Sequence, residues 1–363
     1  MEEKRTYISY KDVPKRNQIE YTEKTKLLDE NGNVLVRGGW ARKDVFEYDR
    51  NNVKPHRRGK EWDFYQISNG KFMIKASFAN ISIGGYLGIS LTDLENHKVI
   101  INGMDLFLGG RDKFALPAVS DQPHVVSYKV GKGEFRFEVK EGKRIIEAST
   151  IYQKKPVKYR FEMDILPNHE NITTVLPFKE DNTKFFMTTK QNCMATEGSI
   201  SLGDEVWNFS KEDTFTVLDW GRINSPYKLV WYWGNASTYI VDKDGTKHTF
   251  GFEITWGIGD ESNATETALF FDGKLHKIGS VDVEKFPKNN YMEPWHIVSE
   301  DGRFDFTMTP TYDHHEDTNI CNLVRMNAHQ VHGRWSGKAV LDDGKVIEIE
   351  DMYAFCEYVE NKW

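Results

Sequence analysis

The 363-residue sequence predicts an all-β protein made of two antiparallel β-barrels or half-barrels packed together. Short segments that alternate apolar and polar residues recur every eight to twelve positions between turn signals. No segment of comparable length shows the 3.6-residue period of an amphipathic helix. Strands at this spacing without intervening helices are typical of antiparallel sandwiches and barrels.

The first half opens with a polar lead-in of about 30 residues and then follows hairpin patterns. A strand at 34–37 comes after the Asn-Gly-Asn turn at 31–33. Segments 61–67 and 71–78 alternate at period two around a Ser-Asn-Gly turn, which predicts a β-hairpin. Further strands are predicted between 107 and 177.

The second half repeats this pattern after a break in the apolar periodicity near 180–205. Hairpin strands are predicted on both sides of the Asp-Gly turns at 242–245 and 272–274. We therefore expect an N-terminal β-domain at 1–200 and a C-terminal β-domain at 201–363.

Composition excludes several functional classes. A net charge of −7 and a pI near 5.9 argue against a nucleic-acid-binding protein, which would carry a basic surplus. The sequence shows no signal peptide and no apolar run long enough for a membrane span, so a cytoplasmic location is expected. Three widely spaced cysteines indicate reduced thiols. The oligomeric state stays open.

The segment 217–222 organises the candidate site. Asp219 and Arg222 flank a Trp-Gly step after an apolar run, which predicts a turn at the mouth of a sheet where the two side chains pair. A structural ion pair at a sheet corner explains the same pattern.

Further candidates are polar residues within apolar strands. Our predicted catalytic residues are Asp219, Arg222, Glu266 and His332. The predicted substrate-binding residues are Trp220, Trp231, Trp233, Glu253, Trp295 and Gln330. A carboxylic acid in an aromatic pocket has a raised pKa and can act as a general acid, and indole rings can stabilise a developing cation. The tryptophans fit a barrel core equally well.

One cluster has the composition of a metal site. Residues 313–317 read Asp-His-His-Glu-Asp, and imidazole and carboxylate groups suit several divalent metals. Consecutive side chains in an extended loop diverge, so we expect a solvated loop that binds no metal. We also expect no organic cofactor.

Several motifs resemble the uncharacterised DUF2804 family and, through it, the lipocalin-like double-barrel group of carotenoid 1,2-hydratase, AttH proteins, tocopherol cyclase and fungal Diels-Alderases. The carrying motifs are the segments 218–222, 265–270, 272–277, 306–310, 329–333 and 342–344, together with Trp231, Trp233, Pro294-Trp295 and Glu357. Thr267 departs from the Asn expected in many relatives, so no role is assigned to it. The resemblance implies two lipocalin-like barrels.

These observations favour a cofactor-independent hydratase or cyclase, a lyase or isomerase acting on a largely apolar small molecule between the barrels. A non-catalytic small-molecule carrier would have the same pocket. A glycan-active enzyme with paired carboxylates such as Asp219 and Glu266 is the third alternative.

Overall fold

The computed structural model describes residues 17–285, 290–320 and 324–362. This part of the chain contains no α-helix and only two short 3-10 turns, Arg50–Asn52 and His56–Arg58. It accordingly offers no helix that could cross a lipid bilayer. The all-β prediction is confirmed.

The strands of the first half have 11 residues or fewer, except for the 22-residue strand Asp181–Leu202. They are β1 (Thr25–Lys26), β2 (Gly39–Ala41), β3 (Phe46–Glu47), β4 (Lys60–Ser68), β5 (Phe72–Asn80), β6 (Gly84–Asp93), β7 (Lys98–Leu108), β8 (His124–Val130), β9 (Gly133–Lys140), β10 (Lys143–Tyr152), β11 (Lys155–Asp164), β12 (Ile172–Phe178), β13 (Asp181–Leu202), β14 (Glu205–Phe209) and β15 (Phe215–Asn224).

Within the described residues, thirteen of these strands form one sheet in the order β7-β6-β5-β4-β15-β13-β11-β10-β9-β8, with β12, β14 and β2 attached beside β13 and β12. Its strand-to-strand pairings are antiparallel. The sheet curls until β7 approaches β10 and β8. Strands β1 and β3 form a separate parallel pair.

The second half supplies another antiparallel sheet. Its strands are β16 (Lys228–Val241), β17 (Lys247–Trp256), β18 (Ala268–Phe271), β19 (Lys274–Lys277), β20 (Val281–Lys285), β21 (Trp295–Ser299), β22 (Phe304–Ile320), β23 (Val324–Val340) and β24 (Val346–Lys362). Among the residues that the structure describes, these nine pair in the order β19-β18-β17-β16-β24-β23-β22-β21-β20. Together the two sheets make one nearly closed barrel and one half-barrel, as the lipocalin-like double-barrel prediction required.

Sheet membership changes between β15 and β16. The strand that carries Asp219 and Arg222 lies between β13 and β4 in the first sheet, and the second sheet begins at Lys228. The division into folding units at residues 200 and 201 stays a prediction.

Each sheet encloses its own apolar core. Phe78, Phe161 and Trp220 lie in the first core, whereas Phe252 and Trp295 lie in the second. A third cluster combines side chains from both halves, including Phe186 and Ile223 with Phe270. This shared cluster packs the barrels together, because apolar surface from both sheets leaves water there.

The predicted loop at 313–317 is wrong: these residues lie within β22. Pro310 does not end the strand, because it stands at a register shift between Pro310 and Tyr312, where a β-bulge tolerates a residue without an N–H. Among the described residues, no group of three or more His, Cys, Asp or Glu side chains is arranged to hold a metal ion.

Candidate active site

A cavity of about 210 Å³ lies between the two sheets. Trp62, Phe64 and Tyr86 form its wall on the first sheet, while Trp231 and Trp233 form the facing wall on the second. Ile223, Leu229, Ile258, Met326 and Val359 extend the apolar lining. A ligand here would contact both barrels and mostly aromatic and aliphatic carbon.

Lys190 stands at the centre of the polar part of this wall. Its Nζ lies 2.7 Å from Asp219 Oδ1 and 3.7 Å from Glu266 Oε2. The same ammonium lies 4.5 Å from the ring centroid of Trp233, over its face. Thr188, two residues before Lys190 on the same face of β13, donates its hydroxyl to Glu266 Oε1. The buried ammonium of Lys190 therefore interacts with two carboxyl groups and one indole ring.

Burial sets the protonation of this cluster. Lys190 and Glu266 are almost fully buried. Burial raises the pKa of Glu266, although Lys190 opposes that rise. For Lys190, burial disfavours the ammonium, but Asp219, Glu266 and Glu253 outweigh it, so the pKa of the lysine rises. The site thus holds a fixed positive charge beside a carboxyl that is pushed toward its neutral form.

Glu253 lies behind the wall, fully buried. It accepts hydrogen bonds from Trp233 Nε1 at 2.9 Å and from Asn192 Nδ2 at 2.9 Å. Burial raises the pKa of Glu253 to about 8. The contact with the indole nitrogen fixes the ring of Trp233 against the cavity.

A second polar pair, Glu357 and Gln330, faces the cavity from the second sheet. Glu357 accepts from Trp231 Nε1 at 3.0 Å and from Gln330 Nε2 at 2.7 Å. Lys75 in turn donates to Gln330 Oε1. Burial raises the pKa of Glu357 and lowers that of Lys75.

Five of the residues predicted from the sequence line this cavity: Asp219, Glu266, Trp231, Trp233 and Gln330. Glu253 reaches it indirectly, through Trp233. The structure therefore brings together two of the four predicted catalytic residues and three of the six predicted substrate-binding residues.

The predicted ion pair between Asp219 and Arg222 is wrong. The two residues lie three positions apart in a continuous strand, and residues an odd number of positions apart in a strand point to opposite faces. Arg222 turns into the first barrel, where it binds Asp63 at 3.0 Å and the carbonyl of Pro117 at 2.8 Å. Its guanidinium also lies 4.0 Å from the ring centroid of Trp220. Arg222 and Trp220 are thus buried away from the cavity.

His332 and Trp295 do not line the cavity either. His332 is buried beside Phe355, with ring centroids 5.7 Å apart, and burial lowers its pKa well below the usual value. Trp295 is enclosed in the core of the second half and donates to the carbonyl of Tyr291 at 3.1 Å. Both side chains pack the interior.

Lys190, the residue that joins the cluster, was not predicted from the sequence. It occurs in the polar run Thr188–Asn192 of β13, which matches no catalytic motif. The available signal was alternation, because period two places Lys190 on the same strand face as Thr188 and Asn192. Glu357 was identified only through the family resemblance.

A larger cavity of about 610 Å³ also lies between the sheets, beyond Gln66 and Asn235. Its rim carries exposed carboxylates, among them Glu212 and Asp213. It contains none of the buried carboxylates described above, so we place the candidate active site in the smaller cavity.

The family follows from a comparison of the whole chain. The family described as a domain of unknown function, DUF2804, matches residues 18–363. The chain belongs to the DUF2804 family. No curated protein sequence gives a significant match.

Several solved structures are similar to this chain. Kievitone hydratase from Nectria haematococca superposes with a TM-score of 0.50 at 13% identity, covering 96% of this chain and 98% of that one. A protein named AttH from Nitrosomonas europaea superposes with a TM-score of 0.46 at 12% identity, covering 83% and 92%. CghA gives 0.44 at 9% identity, covering 95% and 97%. At 13% identity, the likeness to kievitone hydratase shows that the two chains share a fold.

Proposed function

We propose that this DUF2804 protein is a lyase or isomerase of the hydratase or cyclase kind, acting without an organic cofactor on a largely apolar small molecule. The substrate binds in the 210 Å³ cavity between the barrels. The observation that carries the proposal is the buried cluster of Lys190, Asp219 and Glu266 in a wall that is otherwise mostly aromatic and aliphatic.

Glu266 is the general acid of this proposal. Its raised pKa favours the protonated form, and a neutral carboxylic acid can donate its proton to a carbon–carbon double bond. A carbon–hydrogen bond forms, and the positive charge develops on the neighbouring carbon. The indole ring of Trp231, which lines the cavity, stabilises a cation at that position.

Asp219 is the base, held by its ion pair with Lys190. In a hydration, a water molecule adds to the cationic carbon and loses a proton to Asp219. In a cyclisation, a nucleophilic group of the substrate closes the ring in place of water, and Asp219 takes the proton that this step releases. Lys190 keeps the two carboxyl groups different, because its ammonium lies 1.0 Å closer to Asp219 than to Glu266.

The dimensions and lining of the cavity bear on the substrate class. Most ligand pockets enclose about 300–1,000 Å³, so a cavity of about 210 Å³ suits a small molecule or one end of a longer one. Aromatic and aliphatic side chains dominate its walls, which favours an apolar substrate over a sugar. The experiments below also distinguish this enzyme from a non-catalytic carrier and from a glycan-active enzyme.

The test begins with native mass spectrometry of the purified chain, which reports any small molecule retained in the cavity. A panel of apolar alkenes, hydroxylated aromatics and oligosaccharides is then screened by quenching of tryptophan fluorescence. Compounds that bind are incubated in H₂¹⁸O. Hydration adds the mass of labelled water, whereas cyclisation gives an isomer of unchanged mass.

Variants assign the roles. Glu266→Gln and Asp219→Asn should retain ligand binding and lose turnover on the order of a hundredfold or more, the usual effect of removing a general acid or base. Asp213→Asn, at the rim of the larger cavity, is the matched control and should keep full activity. Turnover that survives in Glu266→Gln would refute the acid role. Tight binding of an apolar compound without any turnover would establish a carrier, and cleavage of an oligosaccharide would establish the glycan-active enzyme.

A further inference from the structure

An apolar stripe lies exposed on β7, the end strand of the first sheet. Met104, Leu106 and Leu108 alternate on one face of this strand. Leu106 is 68% exposed and Leu108 is 96% exposed. Exposed apolar side chains that gather in one patch mark an interaction surface, whereas scattered ones carry no meaning.

The strand register explains this exposure. Leu108 faces Gly84 across the β6–β7 pair, and Met104 faces Gly88. A glycine has no side chain with which to cover a residue opposite it, so both apolar groups project into solvent. Ile83, in the turn before β6, is also exposed and accepts a hydrogen bond from the amide of Gly109 at 2.8 Å. The turn therefore extends the stripe around the end of the sheet.

The stripe continues the wall of the cavity. Leu106 stands directly opposite Tyr86 in the antiparallel register, and directly opposite residues project from the same face of a sheet. Tyr86 lines the cavity between the barrels. A continuous apolar face therefore runs from the cavity across β6 to the edge of the molecule.

A basic segment adjoins the same end. Lys54, Arg57 and Arg58 are at least partly exposed there, whereas Lys60 is buried and Arg50 pairs with Glu61 at 3.3 Å. Ser82 donates to the carbonyl of Gly59 at 2.6 Å, which ties this segment to the turn that bears Ile83. Arg111, three residues after Leu108, donates to the carbonyl of Arg50 at 2.7 Å. The apolar stripe thus has a basic border in a chain whose net charge is −7.

We propose that this face, which we call the β7 face, docks on an anionic lipid surface. Apolar side chains that enter the acyl region and cations that contact the headgroups are the two terms that bind peripheral proteins to membranes. Charge complementarity selects this partner over a second copy of the chain. A two-fold interface matches a surface with itself, so it would bring two basic borders together. Binding at this face does not depend on catalysis in the cavity.

Vesicle flotation tests the docking surface. The full chain is mixed with vesicles of phosphatidylcholine alone or of phosphatidylcholine with phosphatidylglycerol. We expect it to float with the anionic vesicles and to be released in ~1 M NaCl, where the Debye length is about 3 Å. Failure to float with anionic vesicles would overturn the proposal.

Two pairs of variants locate the contact. Leu106→Ser with Leu108→Ser should weaken vesicle binding on the order of tenfold or more, because each substitution removes apolar carbon atoms that would enter the acyl region of the bilayer. Val241→Ser with Val346→Ser is the matched control, since these valines are 66% and 52% exposed and lie in the second sheet. Equal binding by the two double variants would refute the β7 face as the contact.

The charged border has its own pair. Arg57→Gln with Lys113→Gln should weaken binding to anionic vesicles by roughly fivefold per residue. Lys140→Gln with Lys243→Gln, exposed lysines elsewhere, should have little effect. Sedimentation analysis of the wild type and of Leu108→Ser completes the test. A dimer that dissociates in Leu108→Ser would assign the face to a second copy and overturn the lipid proposal.

Discussion

The Lys190→Met variant removes the ammonium that lies between Asp219 and Glu266. Asp219, whose side chain is mostly buried, then loses the cation that lies 2.7 Å from its Oδ1, and the fully buried Glu266 loses the cation that limits the rise of its pKa. Stranding a buried charge costs about 3–5 kcal/mol of folding free energy. With an unfolding entropy of about 2.1 cal/mol/K per residue, this loss lowers the melting temperature of a 363-residue chain by about 4–7 °C.

The loss should depend on pH in a defined direction. Burial raises the pKa of Glu266, and Lys190 limits that rise, so the variant raises the pKa further. A carboxyl whose folded pKa exceeds its unfolded pKa stabilises the fold below the unfolded value, and this contribution is lost as pH rises through the folded value. The variant should therefore approach wild-type stability near pH ~5 and fall furthest behind it near pH ~8.

Urea unfolding followed by tryptophan fluorescence at both pH values measures this difference. The double variant Lys190→Met/Glu266→Gln should recover at least ~1 kcal/mol relative to the sum of the single variants, because the neutral amide leaves only Asp219 without its partner. Lys179→Met is the matched control, since Lys179 pairs with Asp260 at 3.1 Å on the surface, where a pair contributes about 0–1 kcal/mol. Equal unfolding midpoints for Lys190→Met and the wild type would refute the buried-cluster reasoning.

Three further predictions concern buried charge. Arg222→Met should destabilise the fold by about 3–5 kcal/mol in urea, because it strands Asp63, yet leave ligand binding in the cavity unchanged; weaker binding would place Arg222 in the site. Burial raises the pKa of Glu253 to about 8, so the wild type should lose stability relative to Glu253→Gln as pH rises from about 4.5 to 8. The loss is at most ~1.4 kcal/mol per pH unit, and parallel curves of stability against pH for the two proteins would contradict it. Burial lowers the pKa of His332, so protonation of the unfolded chain should make the wild type lose stability relative to His332→Leu as pH falls from about 7 to about 5; a constant difference in thermal melts would show that the ring is not buried.

The fold class was predictable because local patterns determine it. Period-two alternation around the Ser-Asn-Gly turn predicted the hairpin at 61–67 and 71–78, and the structure has β4 at Lys60–Ser68 and β5 at Phe72–Asn80. Such signals involve neighbours in sequence. Pairing between distant strands, such as β4 with β15, depends on contacts that one sequence does not display.

Gly221 explains why the turn at 217–222 was mispredicted. A glycine between a tryptophan and an arginine resembles a turn signal, but here it lies within β15. A Cβ built at Gly221 would lie 2.1 Å from the ring of Trp62, a cavity residue. The glycine therefore provides space for an aromatic wall residue, a close approach that glycine in a strand often marks.

The candidate site was half predictable for a related reason. Asp219, Glu266, Trp231 and Trp233 were recognisable because polar or aromatic groups interrupt apolar strands. Their partner Lys190 lies among other polar residues, so nothing set it apart before the strands were paired. Trp220 and Trp295 show the converse, because a tryptophan has the same sequence signature in a cavity wall as in a barrel core.

The location of the site follows from the alternation of side chains between the two faces of β15 and of β16. On β15, Leu218 and Trp220 enter the first core, while Asp219 faces the second sheet. On β16, Tyr232 enters the second core, while Trp233 faces the first sheet. Each barrel thus builds its own interior and one wall of the cavity from alternate residues of one strand. A one-residue slip in either strand would exchange core and cavity side chains, so the register that stabilises each barrel also assembles the candidate site.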